Sequence, residues 1–148
     1  MATYLTYING RSIAGRSGSF NAGAPAQVVI EGMYDASLRN TIAADIVPII
    51  NLPARCIVKS VAYEIVTPEA VAAQTFSLGR TAAPTGWVVG AAGNASAVAG
   101  TTALGAGALN TISGDLQTAA STIDLTVDAL MALTTLKVRV FAVVALLG

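Results

Sequence analysis

Between Ser121 and Asp128 the chain alternates strictly. Ile123, Leu125 and Val127 fall on one side, and Thr122, Asp124, Thr126 and Asp128 on the other. A period of two is the mark of a strand with one buried face. CIVKSVAYEIVT (56–67) repeats the pattern, with Ile57, Val61, Tyr63 and Ile65 on one face and Ser60, Ala62 and Glu64 on the other; Lys59 interrupts the apolar side. IVPIINLP (46–53) is apolar but limited by proline, which predicts an edge or strand-end segment. QVVIE (27–31), QTFSLGR (74–80, ending at Gly79) and WVVG (87–90) predict shorter strands, and LKVRVFAVVALLG (136–148) a longer one. The connections are GMYDASLRNTIAAD (32–45), a loop or single helical turn, TAAPTG (81–86), a turn, and ALMALTT (129–135), a link or brief helix. Long helical periodicity is absent. The pattern predicts an all-β fold, an antiparallel β-sandwich or jelly roll.

The last strand changes character midway. Lys137 and Arg139 oppose Leu136, Val138 and Val140, but from Phe141 onward both faces are apolar. A strand apolar on both faces is covered on both. One cover is the domain's own second sheet; the other is expected to be a neighbouring subunit. Phe141, Val143 and Leu147 are therefore assigned to a subunit interface; Trp87, a large apolar side chain at a strand start, reads as a packing anchor at a core edge or interface and is assigned with them. Stacking on a sugar or base is the other reading of Trp87. VFAVVALL is far below the ~20 residues of a spanning helix, so no membrane partner is expected.

Residues 1–25, MATYLTYINGRSIAGRSGSFNAGAP, lack sustained periodicity and are read as an extended N-terminal arm preceding one sandwich domain, 26–148. Tyr4 and Tyr7 are spaced anchors, and Arg11 and Arg16 face no acid within the arm. A frayed terminus and a segment that orders on a partner both fit this composition. The segment has no apolar core of signal-peptide length. A second unusual stretch is GAAGNASAVAGTTALGAGALNTISG (90–114), part of a run without charge from Thr81 to Gly114. Small uncharged residues suit places where chains approach closely and water is excluded; the expectation is contact between subunits or with a scaffold.

Composition narrows the function. Charged residues are 11% of 148, against about 25% in an average domain. So neutral a surface is tolerated where much of it is buried against other chains. Eight basic residues balance eight acidic ones, which gives no long-range attraction to nucleic acid. Histidine is absent and Cys56 is the single cysteine, within an apolar run. That removes the commonest general base and metal ligand, allows no intrachain disulfide, and makes Cys56 a buried small hydrophobe. GAGALN (105–110) lacks the third glycine of a dinucleotide loop, and no P-loop ending or G-x-S-x-G occurs. Asp124 and Asp128 share a strand face and read as solvated surface rather than a cation site. Asn94-Ala-Ser96 fits the glycosylation pattern by chance. Glu64, Glu69 and Asp115 are the only loosely placed acids for acid–base chemistry. No catalytic set, cofactor or metal is expected.

From Ile46 the order of segments resembles small virion proteins of tailed bacteriophages, of the head decoration, cement or head-fibre type. The matching residues are Leu52, Pro53 and Ala54, then Leu78 and Gly79, then Pro84 and Trp87, followed by the Ala/Gly/Thr-rich stretch and a basic–apolar final strand. Residues 46–148 are covered. Arg55 stands where the pattern favours glycine, and Arg80 where it favours aspartate. The resemblance implies a sandwich or jelly-roll subunit, usually trimeric, on the outside of an icosahedral head, where it bridges major-capsid subunits. The arm, through Tyr4, Tyr7, Arg11 and Arg16, is then the expected capsid contact. A host-recognition module at a head fibre or tail tip and a small β-barrel enzyme are the alternatives.

Overall fold

The computed structural model describes residues 26–38, 41–70, 74–93, 101–110, 114–128 and 132–147, with backbone alone for 101–104. The described residues form β1 (Ala26–Asp35), a 3-10 turn (Ala36–Leu38), β2 (Ile46–Leu52), β3 (Cys56–Thr67), β4 (Thr75–Arg80), β5 (Ala83–Ala92), β6 (Thr101–Leu104), β7 (Asp115–Gln117), β8 (Ser121–Val127) and β9 (Lys137–Leu146). They build two antiparallel sheets. The larger has the order β1-β9-β3-β6, with β7 also paired to β3; the smaller has the order β2-β8-β4-β5. The fold is an all-β sandwich. The chain crosses between sheets at each step from β1 to β4, and again at β5 to β6, β7 to β8 and β8 to β9.

The core lies between the sheets. From the larger come Val28, Ile30 and Tyr34 of β1, Val58, Val61 and Ile65 of β3, and Val138, Val140, Ala142 and Val144 of β9. The smaller supplies Val47, Ile50, Leu52, Phe76, Leu78, Val88, Ile123, Leu125 and Val127. Tyr63 and Phe76 bridge the sheets edge to face, with ring centroids 5.4 Å apart. Such a pair adds about 0.5–1.5 kcal/mol beyond its buried area.

Several strands differ from their sequence-based bounds, each for a physical reason. β1 runs on through Gly32–Asp35, expected as loop, because Met33 and Tyr34 continue the alternation against β9. β5 starts at Ala83, so the turn shrinks to Thr81–Ala82. Lys59 sits at a register shift between Val58 and Ser60. An extra residue reverses the faces beyond it. Ile57 therefore lies opposite to Val61, Tyr63 and Ile65, and Cys56 and Val58 join the core instead. Residues 129–131 of the expected link lie outside the described residues; beyond them Leu133 forms an isolated bridge to Thr41. β7, three residues long, has too little sequence to show a period.

The described part of the small-residue stretch closes one side of the sandwich. Gly105 N–H donates to Val61 O on β3 (2.8 Å), Gly107 N–H to Trp87 O on β5 (2.8 Å), and Leu109 N–H to Gly86 O (2.8 Å). Asn110 completes the clasp: its Oδ1 accepts from Val61 N–H (3.0 Å), and its Nδ2 donates to Trp87 O (2.9 Å) and Gly105 O (2.7 Å). A Cβ on Gly105 would lie 2.3 Å from Trp87 O, and one on Gly107 would lie 2.3 Å from Gly86 O. Small residues are needed here because one chain crosses its own two sheets. For residues 105–110 the close approach is within the chain rather than between chains; residues 94–100 and 111–113 lie outside the described set. Asn110→Ala removes three bonds and leaves Val61 N–H unpaired, an expected loss of about 2–3 kcal/mol in urea unfolding.

The β2–β3 connection holds Arg55 at φ 57°, in the left-handed region. Its carbonyl accepts Leu147 N–H (2.9 Å), which fixes the end of β9. Glycine is the residue that takes this backbone without strain, so an arginine here carries a conformational cost. Arg55→Gly is expected to raise stability by about 0.5–1 kcal/mol, read as a higher urea midpoint.

Candidate interaction face

The outer face of the larger sheet is ordered in rows by the register. Asp35, Lys137 and Thr67 form one row, and Met33, Arg139 and Glu64 the next. Then follow Glu31, Phe141 and Ala62, and after them Val29, Val143 and Ser60. Gln27, Ala145 and Ile57 make the last row, which Leu116 of β7 extends.

The rows divide by chemistry. At one end charges neutralise one another: Lys137 Nζ lies 2.8 Å from Asp35 Oδ2, and Arg139 donates to Glu64 Oε2 at 3.1 Å. The Lys137 hydrogen bond, helped by that of Ser37, holds the Asp35 carboxyl below the usual carboxylate range. Such open pairs contribute about 0–1 kcal/mol each and mainly fix geometry. At the other end apolar side chains lie among Glu31, Gln27 and Ser60. Val29 is 49% exposed and Leu116 54%, with Phe141, Val143 and Ile57 half-buried beside them. Met33, 45% exposed, flanks the ion pairs. The outer face of the smaller sheet carries Thr75 and Ser77 of β4 and Thr122, Asp124 and Thr126 of β8, with exposed Ile46 of β2 beside Thr126; Val89 of β5 is exposed as well.

The sequence-assigned interface residues separate accordingly. Phe141 and Val143 lie together on this outer face, and Leu147 is half-buried just past it. Trp87 does not join them. It is 1% exposed and packs in the chain's own core, so its side chain offers no surface to a neighbour, a ring ligand or a sugar. Tyr4, Tyr7, Arg11 and Arg16 lie outside the described residues.

The three acids considered for catalysis have separate partners. Glu64 is held by Arg139 on the outer face. Asp115 pairs with Arg80 at 3.2 Å and accepts from Gln117 Nε2 at 2.6 Å. Glu69, 4% exposed, is a structural pin. Its Oε2 accepts the backbone N–H groups of Thr134 (2.9 Å), Thr135 (3.1 Å) and Leu136 (3.1 Å), and its Oε1 accepts the Thr134 hydroxyl (2.9 Å). These residues lead directly into β9. Burial alone would raise the carboxyl's pKa, but the hydrogen bonds outweigh it and lower it from 4.5 to about 2.

Asp124, expected on solvated surface, is 3% exposed, with the Thr81 hydroxyl donating to it at 3.3 Å. Asp128 accepts from Ser77 Oγ at 2.5 Å. Among the described residues no cluster of three or more metal-ligating side chains occurs. Cys56 is buried, donates to Pro53 O at 3.1 Å, and has its thiol pKa raised first by burial and then by the Asp115 charge. It is an inert core residue. Sequence reasoning missed the roles of Glu69 and Asn110, because their partners are backbone groups up to 67 and 49 residues away.

No family model and no curated protein matches the chain. Its fold is shared with chains in two solved phage capsids. A chain in the capsid asymmetric unit of cyanophage Pam1 matches with a TM-score of 0.63 at 20% identity, over 86% of this chain and 89% of that one. A chain in the capsid of Ralstonia phage GP4 matches with a TM-score of 0.61 at 12% identity, over 87% of this chain and 90% of that one.

Glu69 generates a pH prediction. Its folded pKa is depressed, so its contribution is complete above the ordinary value of 4.5 and lost as pH falls towards about 2. Glu69→Gln is expected to lower stability by about 2–3 kcal/mol at neutral pH. The gap to wild type, measured by urea unfolding, closes between those two values; a gap independent of pH contradicts the assignment.

Proposed function

We propose that the chain is a structural subunit of a bacteriophage capsid, of the decoration or cement type. It sits on the outside of the head as a homotrimer bound to the major capsid protein, and carries out no chemistry. The observation that carries this reading is the fold shared, nearly end to end, with chains from two phage capsids. Fold alone does not assign function, so the surface must agree. It does in three respects. The strand order, β1-β9-β3 with β6 and β7 on one sheet and β2-β8-β4-β5 on the other, supports a jelly roll with its sixth strand in two pieces, an architecture recurrent in viral capsids. The apolar half of the outer face favours burial against another subunit. The acids most open to a catalytic reading are each tied to a structural partner.

In this reading Phe141, Val143 and Val29 lie at the trimer contact, while Tyr4 and Tyr7 at the tip of the arm fill pockets on the major capsid protein. Three arms per trimer combine weak contacts through avidity. The test is co-sedimentation with empty heads. The full chain is expected to travel with heads at high copy number, and a chain lacking residues 1–8 to remain trimeric but stay at the top of the gradient. Val143→Asp is expected to give a folded monomer by light scattering. A full chain that never binds heads sinks the capsid reading, and a trimeric Val143→Asp protein sinks the proposed contact.

A further inference from the structure

Among the described residues the sandwich has four sheet edges, and three are guarded. β2 carries Pro48, with a register shift between Pro48 and Ile50. β5 meets β4 through two register shifts. The outer edge of β3 is filled by two short strands, β6 and β7, rather than one long one. Bulges, proline and short strands are the usual ways of keeping an edge from pairing with another chain. β1 has none of them. It pairs with β9 through ten consecutive residues without a register shift, contains no proline, and is the last strand of its sheet. Its other edge makes no backbone hydrogen bond to a described residue.

The charge on β1 selects what can pair there. Glu31 stands in mid-strand, exposed, opposite Phe141 on β9, and has no charged or hydrogen-bonded partner among the described residues. Two copies of β1 laid antiparallel about their centres would bring two Glu31 side chains together. Like charges opposite one another oppose that pairing. The strand suits an extended segment that is basic, free of acids and partly apolar. The chain contains one: residues 1–25 carry Arg11 and Arg16, no acid, and Leu5, Ile8 and Ile13 among β-forming residues. They enter β1 at Ala26. Nine extended residues, 17–25, span about 30 Å, enough to reach an adjacent sandwich.

We infer that the arm of one copy adds as a strand to the free edge of β1 in a neighbouring copy, with Arg11 or Arg16 on Glu31. Main-chain bonds supply the pairing and the charge fixes its register. With Arg11 on Glu31 in an antiparallel pairing, Ile13 falls beside Val29 and extends its row. The arginines serve the neighbouring copy while Tyr4 and Tyr7 remain for the scaffold. The inference rests on the oligomer of the preceding reading and not on the capsid.

The test uses the full chain in two differently tagged versions made together. One carries Glu31→Cys, the other Arg11→Cys or Arg16→Cys. Cys56 is buried and stays out of the reaction. After treatment with a short bis-maleimide, a cross-linked pair carrying both tags is expected for one of the arginine positions. Glu31→Arg in the otherwise unaltered chain is expected to raise the concentration at which the oligomer dissociates at least tenfold, and Arg11→Glu with Arg16→Glu to restore it. A cross-link formed only when both cysteines lie in one chain means that the arm folds onto its own β1, and overturns the inference. So does the absence of any cross-link. A mixed-tag cross-link in a protein that never binds heads keeps this inference and removes the capsid reading.

Discussion

β9 is the strand on which the rest depends. It lies between β1 and β3 and is hydrogen-bonded to both along its length. Its inner residues, Val138, Val140, Ala142 and Val144, are fully buried and form the middle of the core. Its outer residues, Phe141 and Val143, are the centre of the apolar rows. One strand thus makes both the fold and the face the fold presents. Both ends are fixed by backbone chemistry: Glu69 gathers three N–H groups of the segment entering the strand, and Arg55 takes the N–H of Leu147 as it leaves. β9 pairs with residues of β3 that lie 70 or more positions earlier, so its place in the sheet rests on long-range contacts, which gives these two fixings their weight.

The opposite side of the sandwich is solved differently. There the clasp of Gly105, Gly107 and Asn110 joins β3 to β5, and it depends on the absence of side chains as much as on their presence. At Gly105 and Gly107 any side chain would have to enter the space between two backbones, whereas Ala106 and Ala108 between them are exposed. The clasp therefore explains the two glycines, not the absence of charge along the whole stretch.

Much of the architecture was legible in the sequence because β-strands announce themselves by period two. β3, β8 and β9 were bounded within two residues, and the apolar outer face of β9 was readable from Phe141 onward. What escaped was set by distant groups. The bulge at Lys59 moved Ile57 to the other face, since counting by twos fails across an inserted residue. Trp87 was read as an anchor at a core edge or an interface, and a strand start does not say which; the structure puts its side chain in the core. Glu69 and Asn110 carry no motif, since a carboxylate or amide that serves backbone N–H groups needs no particular side chain opposite it. The left-handed backbone at Arg55 escaped as well, since an arginine does not announce a positive φ.

The central claim is that the outer face of β1, β9 and β3 is a covered surface in the assembled particle. A reconstruction of intact heads at side-chain resolution tests it most directly. The account requires this sandwich on the capsid exterior, with Val29, Phe141 and Val143 against a neighbouring chain. Heads that contain the protein with that face open to solvent would contradict it.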